Sequence, residues 1–176
     1  MRNVGTELIS AEQIQKRIKE LARELENIYK DSNPLMVGVL KGCVYFLTDL
    51  SKEMDIDVEL DFMVVSSYGA STRTSGVVKI IKDLERNIDG RDVIIVEDII
   101  DSGLTLSYLV DVLKTRNPRS VRVCTLLDKK TSRKAALTAD FVGFDIPDEF
   151  VVGYGLDYAE RYRNLPGVYM LRSDLI

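Results

Sequence analysis

The apolar residues near the start of the chain recur with the period of a helix. An apolar stripe that steps by four and three predicts one amphipathic helix over residues 11–29. Its members are Ile14, Ile18, Leu21, Leu25 and Ile28. Ser10 and Gln13 have the spacing of a capping box at the start of this helix. A stripe of this length favours packing on the chain's own domain over a short coiled coil.

Beyond residue 33 the apolar pattern becomes that of strands separated by helices. Leu35–Leu40 and Val93–Val96 are apolar on both faces, which is typical of buried strands in a parallel sheet. Shorter or alternating apolar stretches predict the remaining strands, over 58–64, 77–81, 121–127, 141–144, 151–154 and 168–171. Two more helices are expected, one over 43–53 and one with the apolar face Leu106, Leu109, Val110 and Leu113 that ends at Asn117-Pro118.

The order of these segments predicts the fold. Strands that alternate with helices predict an α/β fold, with a mostly parallel central sheet flanked by helices. We expect a single domain over residues 1–176. Ligands of such sheets bind at the carboxyl ends of the strands, so the loops there are the candidate site. Ser66–Gly76 has almost no apolar anchor and is predicted to be a mobile loop.

Charge and composition exclude several classes of protein. Lys plus Arg number 24 and Asp plus Glu number 28, and this net charge of -4 argues against nucleic acid or an anionic membrane as the main partner. There is no histidine, so Ser-His-Asp catalysis, Cys-His catalysis and His-ligated zinc are excluded. Cys43 and Cys124 form no CxxC motif and are expected to be buried free thiols. The apolar runs are too short to span a membrane and the first residues lack a signal-peptide core, so we expect a cytoplasmic protein.

The segment Val93–Thr105, with the sequence VIIVEDIIDSGLT, carries the clearest sign of chemistry. An apolar strand runs into Glu97 and Asp98, and Asp101 follows before a Ser/Gly/Thr-rich turn that opens a helix. Backbone N–H groups at such a helix start form a site for a phosphate, although the turn alone is equally compatible with simple capping. The two adjacent carboxylates would repel a phosphate, so we expect them to face sugar hydroxyls or a metal ion. The segment has neither the Walker nor the Rossmann glycine pattern, which disfavours an ATPase or a dehydrogenase.

This segment resembles the phosphoribosyl-pyrophosphate (PRPP) signature of the type I phosphoribosyltransferases. Other stretches resemble the hypoxanthine-guanine phosphoribosyltransferase family, in that family's order and spacing. They are Leu40-Lys41-Gly42, Ser67-Tyr68, Leu127–Thr131 and Phe141–Arg163, the last containing FVGFDIPDEFVVGYGLDY. The resemblance extends over residues 35–170. It implies the type I phosphoribosyltransferase fold with a small hood subdomain formed by the two chain ends.

The resemblance implies a Mg²⁺-dependent reaction in purine salvage. A phosphoribosyl group moves from PRPP to hypoxanthine or guanine, and pyrophosphate leaves. The oxocarbenium-like transition state needs positioned phosphates, a metal on the leaving pyrophosphate and a proton acceptor at the base. An enzyme nucleophile is not required, which suits a chain without histidine. The substrates are then small molecules, PRPP and a 6-oxopurine. Because members of the family form dimers and tetramers, the resemblance also implies a homodimer or homotetramer.

By the same resemblance, the signature segment binds the sugar and its phosphate. Glu97 and Asp98 hold the ribose hydroxyls, directly or through Mg²⁺. Asp101 lies near N7 of the purine and is the general acid/base. The backbone that holds the 5′-phosphate belongs to Ser102, Gly103, Leu104 and Thr105.

The resemblance assigns the purine to residues nearer the end of the chain. Lys129 donates to the 6-oxo group, which explains a preference for oxopurines over aminopurines. Phe150 stacks on the base and the backbone of Val151 bonds its edge. Asp157 lies at the purine site and binds a second Mg²⁺.

The resemblance implies that three further segments bind pyrophosphate or cover the transition state. Pyrophosphate is bound by Lys41, Gly42 and Arg163, with Lys41 in a loop that carries a non-proline cis peptide in this family. Ser67 and Tyr68 lie on the mobile loop, which is expected to close over the transition state and exclude water.

Each of these residues has an ordinary structural alternative. Taken alone, Lys129 and Arg163 are typical of surface charges, and Phe150 is as typical of a core residue. Their joint occurrence in the family's order favours the functional interpretation. Lys130 and Arg133 are interpreted as surface charges.

Two other functions stay open. A regulator with a PRPP-binding fold that binds RNA would need a basic face, which the net charge disfavours. A sister transferase that uses xanthine is compatible with Lys129. The group that faces the purine 2-position, near Asp157 and the Val151 backbone, would distinguish this second alternative.

Overall fold

A computed structural model describes residues 4–68 and 77–175, and within these ranges it contains nine strands and three α-helices. The strands are β1 (Gly5–Ile9), β2 (Leu35–Leu40), β3 (Glu59–Tyr68), β4 (Val77–Lys82), β5 (Asp92–Ile100), β6 (Ser120–Asp128), β7 (Phe141–Asp145), β8 (Val151–Val152) and β9 (Val168–Leu171). The helices are α1 (Ala11–Tyr29), α2 (Val44–Glu53) and α3 (Leu104–Lys114). Short 3-10 helices cover Lys130–Ser132 and Ser173–Leu175.

The central sheet has six strands in the order β4-β3-β2-β5-β6-β7. Every neighbouring pair is parallel except β3 and β4, which are antiparallel. The predicted α/β fold with a mostly parallel sheet is therefore confirmed. The carboxyl ends of five strands share one edge, and this is the edge at which ligands of parallel sheets bind.

Helices cover both faces of this sheet, which explains why Leu35–Leu40 of β2 and Val93–Val96 of β5 are apolar on both faces. One core cluster contains residues of α1 and α2, and a second contains those of α3. Both hydrogen bonds of the capping box between Ser10 and Gln13 are present. The buried face of α1 ends at Tyr29, whereas Ile28 is 44% exposed. The last buried position is therefore Tyr29, four residues after Leu25. The prediction of Ile28, three residues after Leu25, was wrong.

A second sheet is formed by the two chain ends. Its three antiparallel strands have the order β1-β9-β8. This is the hood subdomain that the family resemblance implied. Strand β1 was not predicted, because it is short and its middle residues are exposed, so its sequence has no apolar stripe.

Three predicted boundaries are corrected by the structure. Ser66–Tyr68 was expected in a loop but belongs to β3, where Ser66 pairs with Lys79 and Tyr68 with Val77 of β4. A backbone ladder holds these residues, which is why they need no apolar anchor. The rest of that predicted loop, residues 69–76, lies outside the described residues. Helix α3 ends at Lys114, before the Asn117-Pro118 break.

The third correction concerns the acidic segment. Strand β5 continues to Ile100, where it pairs with Asp128 of β6. Glu97 and Asp98 therefore lie within a strand rather than after it. Among the described residues, no helix is long and apolar enough to cross a membrane.

A buried carboxylate ties β3 to the loop after β4. Asp61 is only 5% exposed and accepts backbone N–H groups from Phe62 at 2.7 Å, Glu85 at 2.8 Å and Arg86 at 3.1 Å. Burial by itself would raise the pKa of Asp61. The three N–H donors and the nearby Lys82 ammonium outweigh it, so the pKa lies below its ordinary value.

We expect Asp61→Asn to lower the free energy of unfolding near neutral pH by about 1–3 kcal/mol, because charged hydrogen bonds are lost. A carboxyl with a lowered pKa contributes stability above its unfolded pKa, and this contribution disappears as the pH falls through the folded pKa. The difference between wild type and variant should therefore be constant near neutrality and shrink below about pH 4. Urea unfolding at a series of pH values measures it. Asp111→Asn on the exposed face of α3 is the control, and a difference that stayed constant in acid would contradict the assignment.

Candidate active site

Most of the predicted site residues lie at the carboxyl edge of the parallel strands. Lys41 and Gly42 follow β2, Asp101 follows β5 and Lys129 follows β6. The backbone N–H of Lys129 donates to the carbonyl of Ile100 at 2.9 Å, which holds the two loops side by side. Residues from distant parts of the sequence therefore meet because their strands are neighbours.

A cavity of about 160 Å³ lies at the end of β5 and the start of α3. It is lined by Glu97, Ile99, Ile100, Asp101, Ser102, Gly103, Thr105 and Leu106. Leu104 is 51% exposed and is not part of this lining. The N-cap of α3 is Gly103, which has no side-chain oxygen to cap the N–H groups of the first turn. A helix start of this kind is suited to an anion.

Glu97 and Asp98 have different neighbours because adjacent strand residues project to opposite faces. Glu97 lines the cavity, whereas one Asp98 oxygen accepts the N–H of Ile99 at 2.8 Å and the other faces the backbone of Gly42. Burial raises the pKa of Glu97 well above its ordinary value, and the charge of Asp98 adds to the effect. Burial raises the pKa of Asp98 to about 6. Both carboxylates would gain from a partner that supplies hydroxyl donors or positive charge.

Two glycines allow three backbone segments to meet beside Asp98. A Cβ atom on Gly42 would overlap the Asp98 carboxylate, and one on Gly155 would overlap the carbonyl of Gly42. Gly155 also has a φ of +102°, a conformation that side chains disfavour. The bond between Leu40 and Lys41 is a cis peptide, as the resemblance implied.

Arg163 connects this meeting point to Asp157. Its guanidinium donates to the carbonyl of Gly155 at 2.7 Å and pairs with Asp157 Oδ1 at 2.8 Å. Asp157 Oδ2 accepts the N–H of Glu160 at 2.9 Å. The Nε atom of Arg163 is buried and has no hydrogen-bond partner in the described part of the chain. Lys41, Gly42, Asp98, Asp157 and Arg163 thus form one connected group.

Lys129 is buried rather than on the surface. It is 7% exposed, and its ammonium lies 3.9 Å from Asp148 Oδ1. Phe150 is 43% exposed, and its ring meets that of Tyr158 edge-on with centroids 5.6 Å apart. Val151 is buried in β8. An aromatic side chain that is 43% exposed is unusual for a simple core and is suited to a planar ligand.

Arg133 is an important residue that the sequence interpretation assigned to the surface. Its side chain is only 14% exposed and pairs with the buried Asp128. The same guanidinium donates to the carbonyl of Asp101 at 3.1 Å and to that of Leu137 at 2.6 Å. Arg133 thereby ties the loop after β5 to the end of β6. Its spacing from Asp128 was the available signal, since the two are close in sequence. Lys130 is exposed, as expected.

Tyr154 fixes the segment that carries Gly155. Its hydroxyl donates to Asp49 Oδ2 of α2 at 2.6 Å, and Gln15 of α1 donates to the same oxygen at 2.9 Å. Tyr154 has a φ of +49°, between two glycines that also have positive φ. Burial, followed by the Asp49 contact, raises its pKa, so the hydroxyl keeps its proton. This contact holds the Gly155 segment against both helices.

The match to known proteins covers most of the chain. Residues 5–159 match the phosphoribosyl transferase domain family. The hypoxanthine-guanine phosphoribosyltransferase of Bacillus subtilis (strain 168) is 61% identical over 165 residues, which are 94% of this chain and 92% of that protein. A hypoxanthine phosphoribosyltransferase structure from Staphylococcus aureus has a TM-score of 0.95 at 45% identity, covering 98% of this chain and 94% of that one. The Trypanosoma cruzi enzyme, solved with the product IMP, has a TM-score of 0.93 at 37% identity, covering 100% and 98%.

The fold, the helix-start cavity and the family match define the chain as a phosphoribosyltransferase. Within that class it belongs to the hypoxanthine-guanine phosphoribosyltransferase family, because the identity to the Bacillus subtilis relative extends over nearly the whole of both chains. The resemblance found in the signature segment is thereby confirmed.

We expect Tyr154→Phe to destabilise the protein by about 1.5–3 kcal/mol, since a buried hydrogen bond to a carboxylate is lost. For a chain of this size each kcal/mol lowers Tm by about 2–4 °C. Calorimetry measures the change. Tyr108→Phe, on the exposed part of α3, is the matched control and should leave Tm unchanged. Equal melting temperatures for wild type and Tyr154→Phe would contradict the role of this contact.

Proposed function

We propose that the chain transfers the phosphoribosyl group of PRPP to hypoxanthine, guanine or both, and so makes IMP or GMP in purine salvage. The observation that carries this proposal is the helix-start cavity with Asp101 at its edge, held beside buried Lys129 by the bond from Lys129 to Ile100. The cavity proposed for phosphate and the residue proposed to donate to an oxopurine thus lie on neighbouring loops in a chain of this family.

The cavity at the start of α3 is proposed to bind the 5′-phosphate. Ser102, Gly103 and Thr105 line it, and the helix N-terminus supplies N–H donors and a favourable dipole. Leu104 contributes through its backbone in this proposal, since its side chain is exposed. Glu97 lines the same cavity and is proposed to accept hydrogen bonds from the ribose hydroxyls, whose donors would offset the cost of burying its charge.

The donor set is suited to Mg²⁺ bound together with substrate. In the described ranges, no three acidic or cysteine side chains are grouped so that they would hold a metal ion. Magnesium typically keeps several waters and takes one or two carboxylates plus substrate phosphates. Glu97 is a buried carboxylate and Asp98 a partly buried one, and a cation would offset the cost that raises their pKa values. Asp157 lies near Asp98. We propose that Glu97 and Asp98 act on one magnesium ion together with the ribose hydroxyls of the substrate, and that Asp157 binds a second ion. Magnesium would stabilise charge on the leaving pyrophosphate.

The purine is proposed to lie between Lys129 and Phe150. The Lys129 ammonium donates to the 6-oxo group, and the exposed ring of Phe150 stacks on the base. The backbone of Val151 and the side chain of Asp157 lie along the base edge in this arrangement. An aminopurine would present an NH₂ group to a side chain that has only donors, so oxopurines are preferred.

Asp101 is proposed to be the catalytic residue. N9 of the purine forms a bond to the anomeric carbon as the bond from that carbon to pyrophosphate breaks. The N7 proton passes to the Asp101 carboxylate, which is exposed at the cavity. Pyrophosphate is held by Lys41, the backbone of Gly42 and Arg163.

Several further properties are part of the proposal. Ser67 and Tyr68 end β3, and the loop predicted to close over the transition state continues into residues 69–76, which lie outside the described ranges. Residues 1–176 form one catalytic domain, and the protein assembles as a homodimer or homotetramer. A cytoplasmic location is supported by Cys43 and Cys124, which are buried free thiols.

An absorbance assay with PRPP and Mg²⁺ tests the proposal directly, with hypoxanthine, guanine, xanthine and adenine supplied separately. We expect nucleotide from hypoxanthine or guanine and no product after metal chelation. Activity with xanthine alone would make the chain a xanthine-preferring relative. Binding of PRPP without activity on any base would instead support the RNA-binding regulator.

We expect Asp101→Asn to lower kcat by about 10²–10⁴-fold, the usual contribution of a general acid or base. PRPP affinity should stay at the wild-type level, because the backbone cradle is unchanged. Asp111→Asn, which removes the same charge from the exposed face of α3, controls for net charge. Unchanged turnover in Asp101→Asn would contradict the assignment.

A further inference from the structure

The two cations of the proposed pyrophosphate subsite share one carboxylate. Glu160 Oε2 lies 3.1 Å from Lys41 Nζ, and Glu160 Oε1 lies 3.5 Å from Arg163 Nη2. Each oxygen of the carboxylate therefore takes one cation. Glu160 bridges the loop after β2 and the segment after β8, which lie far apart in sequence. This arrangement is the one that a bound anion with two acceptor oxygens would adopt.

The backbone around Glu160 holds this side chain in place. Ala159 has a φ of 49° and Glu160 a φ of 61°, and both values are uncommon for residues other than glycine. The Glu160 N–H donates to Asp157 Oδ2 at 2.9 Å, while Asp157 Oδ1 pairs with Arg163 at 2.8 Å. Strained residues of this kind persist where the surrounding contacts demand them, and they concentrate at functional sites.

The contacts of Glu160 are weak enough to be exchanged for a ligand. The side chains of Lys41 and Glu160 are 67% and 65% exposed, and exposed ion pairs contribute little stability. Arg163 is only 23% exposed and is held by the carbonyl of Gly155 as well as by Asp157. Glu160 can therefore leave while Arg163 stays. The Lys41 ammonium beside Glu160 holds the pKa of that carboxyl below its ordinary value, so it is charged near neutrality.

We propose that the Glu160 carboxylate occupies the pyrophosphate subsite of the free protein as an internal counter-anion, which the pyrophosphate group of PRPP displaces. The inference rests on the proposed function, because it takes Lys41 and Arg163 as the pyrophosphate ligands. Pyrophosphate carries more charge and more acceptor oxygens than one carboxylate, so it is the stronger partner for these cations. The return of Glu160 would in turn favour the release of pyrophosphate.

Calorimetric titration with pyrophosphate at constant Mg²⁺ concentration tests the inference. We expect Glu160→Gln to lower the Kd of pyrophosphate by about three- to tenfold, the scale of one or two exposed ion pairs. The Kd of IMP, which has no pyrophosphate group, should not change. Loss of a merely structural contact would weaken both ligands or neither.

Two further variants separate displacement from a general effect of charge. Glu20→Gln removes the same charge from α1, where Glu20 pairs with Arg17 at 3.0 Å, and should leave the Kd of pyrophosphate unchanged. Glu160→Asp keeps the charge but is too short to reach both cations, so we expect pyrophosphate to bind more tightly to it as well. A gain in Glu160→Gln with none in Glu160→Asp would overturn displacement in favour of a simple field effect.

The failure of this inference differs from the failure of the proposed function. Equal Kd values for wild type and Glu160→Gln would overturn the role of Glu160 and leave the subsite intact. A wild-type protein that binds neither pyrophosphate nor PRPP would overturn both. Thermal melts of each variant verify that the fold is retained.

Discussion

The close approach of three backbone segments at Gly42 is the constraint on which the site depends. The Asp98 carboxylate lies against Gly42, and the carbonyl of Gly42 lies against Gly155. A side chain at either glycine would push these segments apart. Arg163 donates to the carbonyl of Gly155 and pairs with Asp157. The positions of Arg163 and Asp157 therefore depend on the contact between Gly42 and Gly155. The sheet brings β2 and β5 together, but the glycines decide how closely their loops meet.

Electrostatics adds a second requirement, because Glu97 and Asp98 are costly to ionise where the fold buries them. If stability were their only role, replacing these carboxylates with uncharged side chains would make the protein more stable. Their cost is explained if sugar hydroxyls and a cation supply the missing partners. Lys41 and Arg163, by contrast, are already paired with the Glu160 carboxylate. In the free protein, therefore, these two cations have an internal carboxylate partner, whereas burial still opposes the ionisation of Glu97 and Asp98.

The fold was largely predictable because its signals are local and repeated. In the stripe of α1 and the apolar runs of β2 and β5, a few consecutive residues are enough to indicate which positions are buried. Boundaries set by pairing were not predictable, since Ser66–Tyr68 and Glu97–Ile100 are held in strands by neighbours distant in sequence. Strand β1 was missed because it is short and its exposed middle residues leave no apolar pattern.

Candidate site residues could be named from the sequence where they matched a family pattern, but not where contacts distant in the chain position a side chain. Asp101 and Lys129 were found through their motifs, and the structure places their loops together. Arg133 was missed, because its role depends on carbonyl groups of Asp101 and Leu137 that no sequence pattern marks.

Turnover of Gly42→Ala with PRPP and hypoxanthine tests the central claim most directly. Displacement of a reacting group by about 1 Å commonly costs about 100-fold in rate, so we expect a loss of at least that size in a folded variant. Gly90→Ala is the control, because its new methyl group would meet open space and any cost would fall on stability alone. Wild-type turnover in a stable Gly42→Ala protein would contradict the account.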